Sequence, residues 1–234
     1  MHQFIFNDIN TADYGFAVSG EDTWERSIPE LDRVTIPGRN GDLVINSGRY
    51  SNVEVTYLLG IPDGFAEAYD EFIAALLSSP GYHRLEDSYH PEHYRLGFLS
   101  SEIKPKVALQ NRVGTVELTF SCKPQRFMKA GEQPLVFTSS GTIYNPTRYA
   151  ARPLLRVYGT GAFGIGGETI TISSADGYTD IDCDLQDAFK GIVNCNSNIL
   201  LSSGEFPTLP PGTSGVSLGN GITRVEIIPR WWTI

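Results

Sequence analysis

The chain has 234 residues, a formal net charge of −9, 41% hydrophobic residues and 19% charged ones; this is the make-up of a globular protein and excludes a disordered one. Neither part of it is basic, with 12 basic against 19 acidic residues up to Asn145 and 6 against 8 beyond, which excludes a surface built to neutralise a run of nucleic-acid phosphates. No apolar run approaches the roughly 20 residues of a membrane span, and no basic amphipathic stretch suits a membrane surface.

The opening MHQFIFNDINTADYG has no basic segment and meets an acid at Asp8, so it is not read as a secretion signal. With 24 Gly and 14 Pro spread along the chain, many turns are expected, which favours an all-β architecture over long helices. In Tyr50–Leu59 the apolar Val53, Val55, Tyr57 and Leu59 alternate with polar residues, the period of a half-buried strand. One helix is expected after Pro62-Asp63-Gly64. There Phe65, Tyr69, Phe72, Ile73, Leu76 and Leu77 form an apolar stripe that ends at Pro80-Gly81 and should cover one face of a sheet. The stretch GYHRLEDSYHPEHYRLG follows, and it is read as a solvated polar loop. Val116, Leu118, Phe120 and Cys122 then alternate again, which makes Cys122 a small core residue. From Lys123 to Pro153 prolines and small polar residues suggest a crossing between two domains. Beyond it LLRVYG, ETITIS, YTDIDCD, GVSL and ITRVEIIP read as short strands of a small β-sandwich, with turns at Asp176-Gly177 and Asn220-Gly221.

Several patterns resemble chemical motifs and fail on their context. Gly159-x-Gly161-x-x-Gly164 matches a dinucleotide fingerprint, but that chemistry needs a helix N-terminus facing the pyrophosphate, and a strand-like IGGETITIS follows. Gly215-x-Ser217-x-Gly219 matches a nucleophile elbow, yet no histidine comes after His93, so no triad can follow in that order. His83, His90 and His93, with Glu86, Asp87 and Glu92 between them, have no expected helix or hairpin to converge them on a metal. Asp180, Asp182 and Asp184 share a strand face, but Leu185 and Gly191 stand where a calcium loop requires glycine and a bidentate acid, so a solvent-facing acidic strand is expected. No carboxylate pair is singled out for glycoside hydrolysis. The three cysteines are odd in number and widely spaced, which points to reduced thiols. No catalytic residue, cofactor or metal is expected.

The phrases FIFND, IPGRNGDL at Ile36–Leu43, GRYSNVEVTY at Gly48–Tyr57 and ELTFSCKPQRF at Glu117–Phe127 come in sequence. They are followed by IYNPTRYAARPLLRVYGTG, DIDCDLQDAF, FPTLPPG and the terminal IIPRWWTI. Together, in this order, they resemble the distal tail protein of siphophages (the phage tail component family, Dit). The resemblance implies an N-terminal β-rich domain, 1–133, that closes into a hexameric ring and carries one helix and a projecting β-hairpin. It also implies a C-terminal galectin-like β-sandwich, 134–234, with the last strand allowed to pack back on the N-terminal domain. Such a ring is the hub of the tail tip. It joins the tail tube protein to the tail-associated tip protein or to the baseplate and receptor-binding proteins, and DNA only passes through its channel. The protein is then a virion component made in the host cytoplasm, in a lean form without an extra carbohydrate-binding module.

Expected ring contacts are Arg39, Asn40 and Asp42 in the IPGRNGDL phrase, where a solvated Asn-Gly turn explains the same residues equally well. Val113, Val116, Leu118 and Phe120 are added on the hypothesis that Val113–Cys122 and a partner near Lys104–Leu109 form a hairpin in the ring belt. The terminal Trp231 and Trp232 are expected to pack on the protein itself. An acidic chain also suits the wall of a DNA conduit, because like charge keeps DNA from adhering. Two other readings stand beside this one. A carbohydrate-binding adhesion module would use Tyr158 and Phe163 as an aromatic platform. A secreted β-sandwich hydrolase lacks a signal and late histidines.

Overall fold

The computed structural model describes residues 2–234. The chain packs as two compact units, one running to Arg126, joined there by Ile234, and the other spanning Phe127–Thr233.

The first unit is one antiparallel sheet with a helix on one face. Its strands follow the order Ile9–Asn10, Phe4–Phe6, His83–Asp87, His93–Leu99, Val113–Cys122, Val53–Ile61 and Ala17–Asp22. The two alternating segments meet at the centre. Val116 faces Leu59, Leu118 faces Tyr57, Phe120 faces Val55 and Cys122 faces Val53, so all eight side chains lie on one face and are buried. Their polar neighbours point the other way, where Thr56 and Thr119 share a hydrogen bond of 2.9 Å. The helix Phe65–Leu77 buries Phe65, Phe72 and Leu76 among Phe4, Phe16 and Phe120. Leu77 lies outside the stripe and is exposed. Gly64 holds a left-handed φ of 73° before the first turn, and the carbonyl of Arg112 accepts from the Phe65 N–H at 3.0 Å. A tertiary carbonyl thus does part of the capping that no side chain supplies.

The histidine stretch is an ordered hairpin, not a loop. His83 pairs with Gly97 and Leu85 with Arg95. Asp87 holds the turn, with Oδ1 accepting from the backbone N–H groups of Tyr89 and His90 at 2.9 and 2.8 Å. The aspartate turn closes a hairpin across the proline that argued against one.

The second unit is a β-sandwich. One sheet runs Leu135–Phe137, Ile222–Ile228, Leu154–Gly159, Tyr178–Asp182, Asp187–Lys190 and Val193–Asn194. The other runs Gly141–Asn145, Gly212–Leu218, Gly161–Ile165, Glu168–Ile172 and Ile199–Leu201. Both sheets contribute to one core that includes Leu155, Val157, Phe163, Ile170, Ile181, Val216, Val225 and Ile227. Residues 127–133, which the sequence placed in the first domain, pack here. Gly131 accepts from the Arg230 N–H at 2.8 Å, and a Cβ on it would stand 2.4 Å from the Trp231 nitrogen. Trp231 is buried in this core, and Trp232 stacks on Tyr149 at 4.4 Å while donating to the Ala150 carbonyl.

The two glycine motifs are strand corners. Gly159 and Gly161 have φ of 102° and 132°, and a Cβ on either would fall about 2 Å from a carbonyl of the Asn220-Gly221 turn. They let the chain step from one sheet to the other. Ser217 lies on the strand Gly212–Leu218, and a turn at Gly219 leads into the next strand.

Candidate assembly surface

Between the first two long segments of the first unit the chain leaves the sheet. Among the described residues Pro29–Val34 and Leu43–Tyr50 pair only with each other, as a two-stranded ribbon outside the main sheet. We call this ribbon the arm. Its tip needs glycine: Gly38 and Gly41 have φ of 81° and 80°. The Arg39 N–H donates to the Ile36 carbonyl at 3.1 Å, and the Thr35 hydroxyl donates to Asp42 at 2.9 Å. Arg39 and Asn40 are exposed at the tip.

The register sorts the arm into two faces. Leu31 opposite Asn46 and Arg33 opposite Val44 make one; Asp32 opposite Ile45 and Val34 opposite Leu43 make the other. Both are in solvent, with Val44 54% and Ile45 47% exposed, and Ile28 just before the arm is 74% exposed. The charges between Pro29 and Tyr50 balance, with Glu30, Asp32 and Asp42 against Arg33, Arg39 and Arg49, and Arg49 pairs with Glu30 at 3.3 Å. An isolated two-stranded ribbon is marginal in water, and its two free edges are ready templates for another strand. Apolar side chains on both faces of such a ribbon need cover that the rest of this unit does not give them.

A second, smaller projection is the hairpin in which Val113 pairs with Ala108 and Thr115 with Lys106. Its turn puts Leu109, Gln110 and Asn111 at φ of 50°, 55° and 67°, which costs about 1–2 kcal/mol for a residue such as leucine. Val107 and Leu109 are exposed there.

The candidate contacts therefore divide. Arg39, Asn40 and Asp42 stand together on the exposed tip, and half-buried Val113 lies beside the turn of the smaller hairpin, opposite Ala108. Val116, Leu118 and Phe120 do not belong with them: they are 1%, 0% and 0% exposed in the core of the first unit. The strand carries two residue sets by alternation, and the apolar set faces inward, where it has no surface to offer a neighbour. The side chains missed from sequence are Leu31, Val34, Leu43, Val44 and Ile45. The signal was the unbroken run Leu43-Val44-Ile45, which breaks the alternation expected of a strand with one wet face.

The aromatic platform expected for a sugar is not formed, because Phe163 is 1% exposed inside the sandwich. Tyr158 has its ring under Arg224 at 4.4 Å. Among the described residues no three His, Cys, Asp or Glu side chains gather at one point, and no helix is long and apolar enough to cross a membrane.

No protein-family model matches this chain, and no curated protein does. Solved structures do. The crystal structure of the Dit protein of phage SPP1, described as a paradigm of the hub adsorption apparatus in phages that infect Gram-positive bacteria, matches 100% of both chains with a TM-score of 0.73 and 14% identity. The phage P2 baseplate in its activated conformation matches 97% of both chains, with a TM-score of 0.52 and 10% identity in the calcium form. The strontium form gives 0.54 and 11% over the same share. The mainly β architecture that the sequence phrases implied is therefore present, and the chain has the fold of the SPP1 Dit protein from end to end.

Proposed function

We propose that this protein is a structural hub of a phage tail tip. Copies of it close into a hexameric ring that joins the tail tube to the tip or baseplate and its receptor-binding proteins, around a channel for DNA. The second unit is then the galectin-like domain of such a hub. No step of bond-making chemistry belongs to this role, and the protein acts by binding other proteins in the virion.

The observation that carries this reading is the arm. A ribbon with apolar side chains on both faces and two unpaired edges is a poor feature of a solitary protein and a good one for a ring subunit. A head-to-tail contact that closes on itself makes a ring, and laying the arm along a neighbour's sheet covers edges and apolar faces together. A stable contact of this kind buries at least about 1,000 Å². The likeness of the whole fold to SPP1 Dit supports the choice of a tail hub over other ring-forming proteins.

The test is mass in solution over a wide range of concentration, with negative-stain images of the assembled species. Wild type should pass from monomer to a six-fold annulus as concentration rises. A double variant, Val44→Glu with Ile45→Glu, places a charge on each face of the arm and should remain monomeric with an unchanged circular dichroism spectrum. A ring that forms equally well in this variant removes the arm from the interface. A monomer at every concentration for wild type removes the ring.

A further inference from the structure

At the root of the arm three arginines gather with no carboxylate paired to them among the described residues. Arg95, on the strand His93–Leu99, and Arg126 are each 7% exposed. Arg95 Nη2 donates to the Glu25 carbonyl at 3.0 Å, while its Nη1 is buried with no acceptor among the described residues. Arg26 donates through Nη1 to the carbonyls of Trp24 and Glu25, at 2.7 and 2.9 Å. None of these three guanidinium groups forms an ion pair within the described residues, although they lie close enough to repel one another. Burial first, and then Arg26 and Arg95, push the Arg126 guanidinium down to about 10.

The nearby Asp87 is already engaged. Its Oδ2 accepts from the Tyr57 hydroxyl at 2.7 Å, and its Oδ1 from His90 Nδ1 at 3.0 Å and from two backbone N–H groups. The His90 Nε2 on the far side of that ring is buried as well, with no partner among the described residues. Elsewhere this protein gives its anchored arginines a two-point carboxylate: Arg156 with Asp180, Arg230 with Asp182, and Arg112 with Asp63. Arg95 and Arg126 depart from that habit where burial makes an unpaired charge most costly.

We propose that Arg95 and Arg126, with Arg26 at the rim, form a binding site for a single oxyanion, a carboxylate or a phosphate group. A guanidinium cannot shed its charge, and its planar fork matches both ligands through paired N–H donors. The neutral carbonyl of Glu25 fills only part of that demand. The cover over the cluster is thin. Residues 24–28 have no regular structure and run directly into the arm, and Trp24 leans on His90 with ring centroids 4.6 Å apart while staying 62% exposed. An anion reaches the two buried arginines when this short segment lifts.

Thermal unfolding of the full-length chain tests the site, at low protein concentration and constant ionic strength, with chloride replaced by phosphate in one series and by acetate in another. The expected result is a saturable rise in Tm, about 3–6 °C at a tenfold excess over Kd for a protein of this size. A rise with phosphate alone assigns a phosphate group, and a rise with both admits a carboxylate. In Arg126→Gln the expected result is a higher starting Tm, because the repulsion is relieved, and loss of the anion response. Should that variant fail to fold, Arg26→Gln, on the exposed rim, should weaken the apparent affinity several-fold. A Tm that follows ionic strength alone, or a phosphate response that survives both substitutions, overturns the proposal.

Discussion

Two aspartates show how far one side chain's surroundings lie from what its sequence position suggests. Asp180 and Asp182 share a strand face that the sequence assigns to solvent, yet they are 6% and 5% exposed. Arg156 grips Asp180 from the neighbouring strand at 2.7 and 2.9 Å, in register opposite it, and its guanidinium also lies over the Tyr178 ring. Arg230, 48 positions away in the chain, grips Asp182 at 2.7 and 2.8 Å. Burial works to raise the Asp182 carboxyl, but the hydrogen bonds from Arg230 and from the backbone of Leu185 and Asp184 outweigh it and hold the group below its ordinary 3.8. A carboxylate depressed in the folded state stabilises the fold above the unfolded value, and that stability is lost as pH falls through the folded one. We expect the second unit to weaken below about pH 4. Arg230→Ala should lose about 3 kcal/mol at neutral pH by stranding a buried charge, and should flatten the acid slope. Calorimetry of both proteins from pH 7 down to pH 3 checks the two effects together.

At the scale of elements, the helix and the central strand pair were legible because their periodicities differ and both are long. What the pattern did not contain was the closeness of their approach. Gly114 sits where the helix crosses the strand, and a Cβ there would fall 2.4 Å from the Phe65 ring. Phe65 is itself 2% exposed and has no room to retreat. Gly114→Ala should therefore destabilise the first unit by about 1–3 kcal/mol through overpacking, read as a lower urea midpoint with an unchanged m-value. The arm escaped the same reading. Its residues alternate poorly because neither face has an inside, so a rule that looks for one wet and one dry face passes over it. The converse holds for Val116, Leu118 and Phe120: alternation marks a strand with one apolar face but not what covers that face, and here it belongs to the unit's own core.

For the whole molecule, the two units each hold a separate buried cluster, one built on Phe4, Tyr57, Phe72 and Phe120 and the other on Leu155, Phe163, Ile181 and Val225. A unit with its own core should fold by itself. We expect a chain of residues 127–234 to be soluble and to unfold in one cooperative transition, measured by circular dichroism against temperature. A molten or aggregated fragment would show that its core depends on the first unit.

By itself the sequence determined the fold class, the helix, the central strand pair and the resemblance to tail hub proteins. These depend on local periodicity, on turn residues and on the order of phrases along one chain, and all of them are written in linear form. The tertiary structure decided which acids meet which arginines, which glycines are crowded, and which apolar residues are left in solvent. Those properties belong to pairs of residues distant in sequence. Arg230 reaches Asp182, and Arg126 has no such partner among the described residues, only because of where folding has carried them.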